Sequence, residues 1–585
     1  MIRRIYRQML FTQIISAMTV TICMLIDSIM IGRFLGMNSL TAYGLAAPVL
    51  LVFAAFGSML SAGIQVVCGK AMGTADREKM DACYSISLLM AGITALIGFV
   101  LVLSLSGPLA VLLGAGKAGP ENEIHRLTQD YLRGFIIGAP ALIFSLIMVP
   151  FLQIAGKRAL LLIAVLAMTV SDIVFDILNV FVFHGGTFGM GLGSSLSYYI
   201  AFAIGIRYFF GKKCMFHLKK SGIRKSAARE VLQGGIPTVV NQISLVALVF
   251  LLNKLLMHYG GGPAVAAYSV ITTVGNICYC FGAGTAAVSL TLSAFFYHDE
   301  DRNALTSLVR IQSEWTALLN IALIGLMQLF AGPVISLFTA GRPEVSDLAV
   351  RGLRLFSLSL LSSAMNTTFK NYYQGVGRVR LTETISIFQN FVFTALYAML
   401  FGRLYGTAGL FWSFAAGETT ALLMWVLIVW IGGKKAGFST RIFAFLPDLF
   451  GTAEEDSLDF SIHSTEELSD ASGKAEAFCR MHGDSDRDSV FIALCIEEMA
   501  ANVLEYGFTK DRARHSIHLR LVRRGSERLI RLRDNCINFD PLDYMKLHEQ
   551  DEDPTVHIGI RMVMKMVREA RYTSSLGLNN LTMVL

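Results

Sequence analysis

Charge is scarce in this sequence. Asp, Glu, Lys and Arg make up 16% of its 585 residues, where a soluble globular chain carries about a quarter. That excludes a chain that is soluble throughout. Cysteine is sparse and scattered: of nine, the closest pair is Cys278 and Cys280, with one residue between them. This is neither a zinc-ligand spacing nor a C-x-x-C redox pair, so the cysteines read as small apolar fillers. The phosphate-binding run GxxxxGK[ST] is missing, which argues against a P-loop motor that drives transport with ATP. The first apolar run starts near Phe11, after Arg3, Arg4 and Arg7, and has no small-residue cleavage site. It is expected to be an anchor and not a cleaved signal.

Apolar residues fill the space left by charge. Hydrophobic residues make up 54% of the chain and the mean hydropathy is +0.56. Long runs such as AGITALIGFVLVLSLSG continue to about residue 431, and from Lys434 onward the chain reads as a soluble domain of ordinary size. The net charge of +7 sits mainly in loops. It therefore reports membrane orientation, and no nucleic acid partner is expected.

One bilayer crossing takes about 20 apolar residues. Runs of that kind lie near 11–33, 44–68, 84–106, 130–152, 158–182, 189–210, 233–257, 265–293, 312–340, 350–373, 383–402 and 408–431. Twelve crossings put both termini on one side. The loops on that side hold Lys70, Arg77 and Lys79, Lys157 and Arg158, the basic stretch 211–230, and Lys434, Lys435 and Arg441. The opposite loops hold Arg33, Lys117, Arg126, Arg342, Arg351 and Arg403. The positive excess marks the cytoplasmic side, so both termini are expected there in a multi-pass cell-membrane protein.

The apolar part also repeats itself. Tyr43, Gly57, Asp76-Arg77 and Gly107-Pro108 recur at one shared offset as Tyr268, Gly282, Asp301-Arg302 and Gly332-Pro333. Gln153 and Gly156 recur at a slightly shorter offset as Gln374 and Gly377. Two parallel six-helix lobes are therefore expected, 1–210 and 231–433, joined by the 211–230 loop and followed by a linker, 434–456. Parallel repeats are common in transporters, with the site at the repeat interface.

The runs LIDSIMIGRFLG, GKAMGTADREKM, LQIAGKR and YYQGVGRVR resemble those of multidrug and toxic compound extrusion (MATE) transporters over about residues 5–431. The resemblance implies an all-α membrane domain of twelve helices. It also implies a cation-coupled antiporter that exports organic small molecules, cationic ones included.

Carboxylates inside spans cost roughly 2.5–3.5 kcal/mol on insertion scales, so each needs a reason. Asp27 lies in the first span and Asp172 and Asp176 in the fifth. Asn179 shares the face of Asp176, and Glu418 lies in the twelfth span. The repeat supplies a control: the second-lobe counterparts of the three aspartates are Leu252, Phe393 and Tyr397. The fold therefore does not require acids at these positions. A cation site for H⁺ or Na⁺ is expected from Asp27, Asp172, Asp176 and Asn179, while a helix-end or interface role stays open for each, Glu418 included. The MATE resemblance matches Asp27 and Asp176 to aspartates of that family's cation site. It places Asp172 where the family has Asn, which leaves H⁺ against Na⁺ open. Lys254 and Arg207, near span ends, read as snorkelling side chains.

Residues 457–585 read as α+β, with helices on one face of a mixed sheet. The alternation in HSIHLRLV and RLIRLRD marks two strands joined through RRGSE. In CIEEMAANVLEYG, Glu498 and Asn502 share a helix face, suited to orienting a water or hydroxyl and to ligating Mg²⁺. In RDNCINFDP, Asp534 follows a strand, placed to accept from an amino group such as adenine N6. HIGIRMV opens a helix whose amides suit phosphate. The three stretches in this order resemble the boxes of the GHKL (Bergerat) ATP-binding sandwich in its anti-sigma-factor serine kinase branch. That implies ATP and Mg²⁺ as cofactors, Glu498 as the catalytic residue, and Asn502, Asp534 and Gly559 as binding residues with Asn502 on the metal. It also implies a cytosolic anti-sigma antagonist-like protein as partner. Cys536, Asn538 and His557 stand where glycines are usual.

The combined expectation is an antiporter with an ATP-binding regulatory domain. The alternatives are a membrane-anchored serine kinase that uses its transporter-like half as a sensor, and a flippase for a lipid-linked precursor, with membrane lipid as partner.

Overall fold

The computed structural model describes residues 2–585 except 75, 114, 116–122, 212–213, 337–342, 434–439, 448–449, 453, 509–514, 526, 548–557 and 576. His557, Lys117, Arg342, Lys434 and Lys435 lie outside the described residues, as do Lys212 and Lys213 of the basic loop.

Long apolar helices dominate, because a backbone in lipid must satisfy its own hydrogen bonds. The first lobe comprises α1 (Ile2–Met30), α2 (Met37–Gly73), α3 (Arg77–Leu112), α4 (Glu123–Ile154), α5 (Arg158–Leu178) and α6 (Gly186–Ile206). The second comprises α7 (Lys225–His298), α8 (Arg302–Ser336), α9 (Pro343–Ser357), α10 (Leu360–Gly375), α11 (Val379–Ile387) and α12 (Phe393–Gly432). A π-helical turn extends α1 over Ile31–Leu35 and α5 over Asn179–Phe183, and another, Phe388–Val392, joins α11 to α12.

Among the described residues, nine helices are long and apolar enough to cross a membrane, and eleven if each of two bent pairs is one span. One bent pair is α4, which turns by 48° between Ile136 and Ala139, beside Pro140. The other is α9 with α10, at 46°. The run Val379–Gly432 is 54 residues long, about 80 Å at 1.5 Å per residue against a hydrocarbon core of about 30 Å. It breaks at Gly406, whose φ of 62° and ψ of −138° are not helical, so the run is two helical segments and not one.

The internal repeat is visible in the backbone. Gly36 (φ 89°) and Gly261 (φ 61°) are related by the first offset, and Gly156 (φ 69°) and Gly377 (φ 75°) by the shorter one. Both pairs hold the left-handed conformation that a side chain disfavours. Asp76 accepts from Lys79 N–H at 3.0 Å, and its repeat mate Asp301 accepts from Ala304 N–H at 2.8 Å. The same residue caps the same helix start in each lobe.

A short helix, α13 (Thr440–Ala444), leads to the C-terminal domain. There β1 (Ser457–Ile462), α14 (Thr465–Met481), α15 (Asp486–Asn502), β2 (Ile517–Arg524), β3 (Glu527–Asp534), α16 (Pro541–Leu547), α17 (Ile558–Met566), β4 (Glu569–Ser575) and β5 (Leu578–Val584) follow in order. The five strands lie in the order β1-β2-β3-β5-β4. All four pairings are antiparallel, which corrects the expectation of a mixed sheet. The stretch through α16 and α17 carries the chain past the position next to β3, and β5 fills that position by returning through a hairpin from β4. One face of the sheet packs Leu519, Leu521, Ile530 and Leu532 against Ile492, Ile496 and Met499 of α15.

Candidate functional site in the first lobe and its surroundings

Asp27, Asp172 and Asp176 are all buried, at 7%, 3% and 0% exposure. The α1 and α5 faces that carry them meet, so Asp27 lies within side-chain reach of both Asp172 and Asp176. Their remaining neighbours are neutral: Cys23, Ser194 and Ser197 beside Asp172, and Tyr43, Tyr131 and Tyr198 around the set. Both carboxyl oxygens of Asp176, and Oδ1 of Asp27 and of Asp172, are buried without a hydrogen-bond partner. Among the described residues no three His, Cys, Asp or Glu side chains converge as metal ligands. Close helix packing closes the site: a Cβ on Gly193 of α6 would come 3.3 Å from Asp176 Oδ1.

Asn179 bonds to the backbone at the start of α6. Its Oδ1 accepts from Gly185 N–H at 3.1 Å and its Nδ2 donates to the Gly186 carbonyl at 3.0 Å. A Cβ on Gly189 would overlap its Oδ1 at 1.7 Å. The carboxamide therefore ties the turn between α5 and α6, with both its polar atoms bonded to backbone.

The second lobe holds a buried lysine that the sequence reading missed, in one polar network with Glu418. Lys370 of α10 is 5% exposed and Glu418 of α12 is 7% exposed. Lys370 donates to Asn241 Oδ1 and to Gln389 Oε1, and Gln389 in turn donates to Glu418 Oε1 at 3.5 Å. Asn366 Nδ2 donates to Glu418 Oε2 at 2.8 Å. The available signal was a lysine inside the 350–373 run, with polar residues on the following span. From sequence alone, a lysine near the end of such a run cannot be told from one that snorkels.

The C-terminal sheet turns its polar face to the membrane helices. Arg531 pairs with Asp299 at 2.8 Å and also donates to the Asp299 carbonyl at 3.0 Å. Arg533 pairs with the other oxygen of Asp299 and lies over the rings of Phe295 and Phe296 at 4.9 and 5.7 Å. Arg520 pairs with Asp301 at 3.2 Å, and Arg524 with Glu300. On the first lobe, Arg77 pairs with Asp540 and donates to the Tyr572 carbonyl at 3.0 Å, while Arg571 donates to the Thr74 carbonyl at 3.2 Å. The partners Asp299–Asp301 and Thr74–Arg77 are the same loop in the two repeats.

Of the residues matched to the GHKL boxes, Glu498 and Gly559 are in contact. Asp534 Oδ1 accepts from Cys536 N–H at 2.9 Å and from Asn579 Nδ2 at 2.8 Å. Burial pushes its carboxyl above the usual range, against the pull of those two bonds. The Tyr572 hydroxyl, 2.6 Å from Asn538 Oδ1, fastens the same loop to β4. Asn502 Nδ2 donates to the Glu498 carbonyl at 2.6 Å. A Cβ on Gly559 would lie 1.9 Å from Glu498 Oε2. The first turn of α17 thus abuts the carboxylate, with no room between them even for a methyl group. As arranged, Glu498 and Gly559 leave no space between them for a phosphate.

The comparisons with known proteins agree with the helical part. The model of the MatE family matches residues 13–178 and 237–400. The multidrug export protein MepA of Staphylococcus saprophyticus is 24% identical over 410 residues, which cover 68% of this chain and 87% of that protein. MepA of Staphylococcus aureus strain MRSA252 is 24% identical over 405 residues, 67% and 86%. Among solved structures, the outward-facing conformation of a multidrug resistance MATE family transporter shares the fold with a TM-score of 0.69 at 20% identity. A MOP superfamily transporter from Pyrococcus furiosus does so with 0.68 at 20% identity, and each covers 73% of this chain and 95% of its own. The second matched segment ends at residue 400, before the C-terminal sheet begins at Ser457. With its two matched segments, its paired backbone landmarks and its bundle of apolar helices, this chain belongs to the MatE family of membrane transporters.

Proposed function

We propose that the protein is a proton-coupled antiporter that exports organic small molecules and that its C-terminal domain restrains its movement. The reading rests mainly on one observation. Three buried aspartates of the first lobe face one another, with no basic side chain among their neighbours in the described residues, and their repeat mates are Leu252, Phe393 and Tyr397. Carboxylates sharing a site do not all ionise together. Such a set takes up a proton on one side of the membrane and gives it up on the other. Coupling follows if the proton and the exported compound favour oppositely open states. The multidrug export proteins among the relatives support organic compounds as cargo, and the basic loops support cytoplasmic termini.

The test is uptake of ethidium into inverted membrane vesicles under an imposed pH gradient or an imposed Na⁺ gradient. Uptake driven by the pH gradient, and lost in Asp27→Asn and in Asp176→Asn, is expected. Uptake driven by Na⁺ alone would replace the proton with Na⁺, and intact uptake in both variants would move the coupling site elsewhere.

For the C-terminal domain the GHKL resemblance carries a second reading, with ATP, Mg²⁺ and transfer to a protein serine. The meeting of Glu498 with Gly559 and of Gly507 with Cys536, where a Cβ on Gly507 would lie 3.0 Å from Cys536 Cβ, favours one shared site. The closed contact at Gly559 opposes a nucleotide there unless α17 withdraws. Calorimetric titration of the full chain with ATP and Mg²⁺ separates the two. A saturable heat lost in Asp534→Asn restores the nucleotide reading, and its absence leaves a docking domain.

A further inference from the structure

The second lobe holds a partly open cavity of about 620 Å³, within the range of about 300–1,000 Å³ that holds a drug-sized molecule. Tyr268, Tyr279, Phe356 and Phe414 give it an aromatic wall, and Lys370, Gln389 and Glu418 a polar one. The cation and the anion are kept apart. Among the described residues Lys370 and Glu418 form no direct ion pair; the Gln389 carboxamide stands between them, its oxygen toward Lys370 at 3.4 Å and its nitrogen toward Glu418 at 3.5 Å.

Two buried opposite charges gain most by direct contact, so the intervening amide leaves each with unused capacity. An ammonium has three donors, and Lys370 uses two, on Asn241 and Gln389. A carboxylate has about four acceptor positions. Glu418 takes side-chain bonds from Asn366 and Gln389 and lies beside Ser363. The repeat again supplies the control: the first-lobe mates of Lys370, Gln389 and Glu418 are Val149, Met168 and Ser197. The fold does not need the charged pair, and the two lobes carry different polar chemistry.

We propose that this cavity binds amphiphilic zwitterions, with an aromatic body against Tyr268, Phe356 and Phe414, a carboxylate on Lys370 and an ammonium on Glu418. A simple cation meets Glu418 but is opposed by Lys370, and a simple anion meets the reverse, so the pair discriminates by repulsion as well as attraction. That such compounds are moved rests on the transport reading above, whereas their binding does not.

The test uses three fluorescent probes with one aromatic body and different charge: dansylcadaverine (cation), N-dansyl-6-aminohexanoate (anion) and Nε-dansyl-lysine (zwitterion). Each is titrated at pH 7 into the full-length protein in nanodiscs. The zwitterion is expected to bind about tenfold tighter than either other probe, the size of one charge-assisted hydrogen bond. Lys370→Met should remove that advantage and improve the cation, and Glu418→Gln should remove it and improve the anion. Asn276→Trp, which fills the cavity from a lining residue other than the two charged ones, should weaken all three probes. Equal binding of the three probes to the unaltered protein overturns the proposal, as does a zwitterion advantage that survives Asn276→Trp. Neither outcome depends on the charge variants folding. Zwitterion binding without gradient-driven uptake would sink the coupling reading and leave this site standing. Gradient-driven uptake of ethidium without a zwitterion preference would do the reverse.

Discussion

Asp176 and Asn179, one helical turn apart, are expected to respond to mutation in opposite ways. Asn179 holds two backbone bonds across the turn into α6, and losing a buried hydrogen-bonded group costs about 1–3 kcal/mol. Asn179→Ala should lower the thermal unfolding temperature while folded molecules keep gradient-driven uptake. Asp176 has two buried oxygens with no partner, so its carboxyl adds little to stability. Asp176→Leu should hold or raise the unfolding temperature and abolish uptake, as expected where a destabilised group is kept for function. A fall in stability in Asp176→Leu equal to that in Asn179→Ala would make the aspartate structural. The sequence showed Asp27 and Asp176 because an acid in mid-span is costly wherever it points. It did not show what Asn179 does, because an amide is as suited to a cation as to a carbonyl and only the backbone around the turn decides. Lys370 stayed hidden for a related reason: from the run of residues alone, a lysine near a span end is indistinguishable from one that snorkels.

In the C-terminal sheet, register creates a problem that docking resolves. Arg520 lies opposite Arg531, and His518 opposite Arg533, on neighbouring strands, and like charges facing each other destabilise a sheet. Asp299 and Asp301 of the α7–α8 loop sit on that face and neutralise it. The alternation in these strands was legible in the sequence, but an alternating polar face reads as solvent-exposed, and nothing in the local pattern says that acids from a distant loop between two membrane helices cover it. Removing one member of a buried pair costs about 3–5 kcal/mol, so Asp299→Ala should release the domain, seen as increased hydrogen exchange in β2 and β3. Acid should act in the same direction. Burial and the neighbouring Arg533 hold the His518 imidazole below its ordinary value, with Arg520 adding to this and Asp301 and Asp459 opposing. The released state then binds more protons, and docking weakens as pH falls through about 6.5. Burial alone would raise Asp301, but Arg520, Arg533 and the Ala304 amide hold it below the carboxylate range. Its contribution is present above about pH 4 and is lost only as pH falls further. His518→Gln should therefore flatten the dependence between pH 7 and 5.5 and leave the lower part. An unchanged profile would assign the titration to another group.

At the scale of the whole molecule, the C-terminal domain holds the same loop of both repeats. It grips the first lobe through Thr74 and Arg77 and the second through Asp299, Glu300 and Asp301. The preceding segment adds to the second grip, since Arg302, the repeat mate of Arg77, donates to the carbonyls of Pro447 at 2.7 Å and Phe450 at 3.2 Å. Transport by alternating access needs one repeat to rock against the other, and a rigid body fastened to both ends resists that movement. The resistance is bounded by the docking energy, so releasing either grip should remove most of it. Arg77→Ala and Asp299→Ala, each measured as the initial rate of gradient-driven ethidium uptake per folded molecule, should both raise the rate. The double variant should add little, because one grip alone no longer links the lobes. Independent, additive gains would mean that the contacts act locally on each loop, and slower uptake would mean that the docked domain supports the moving state instead of restraining it.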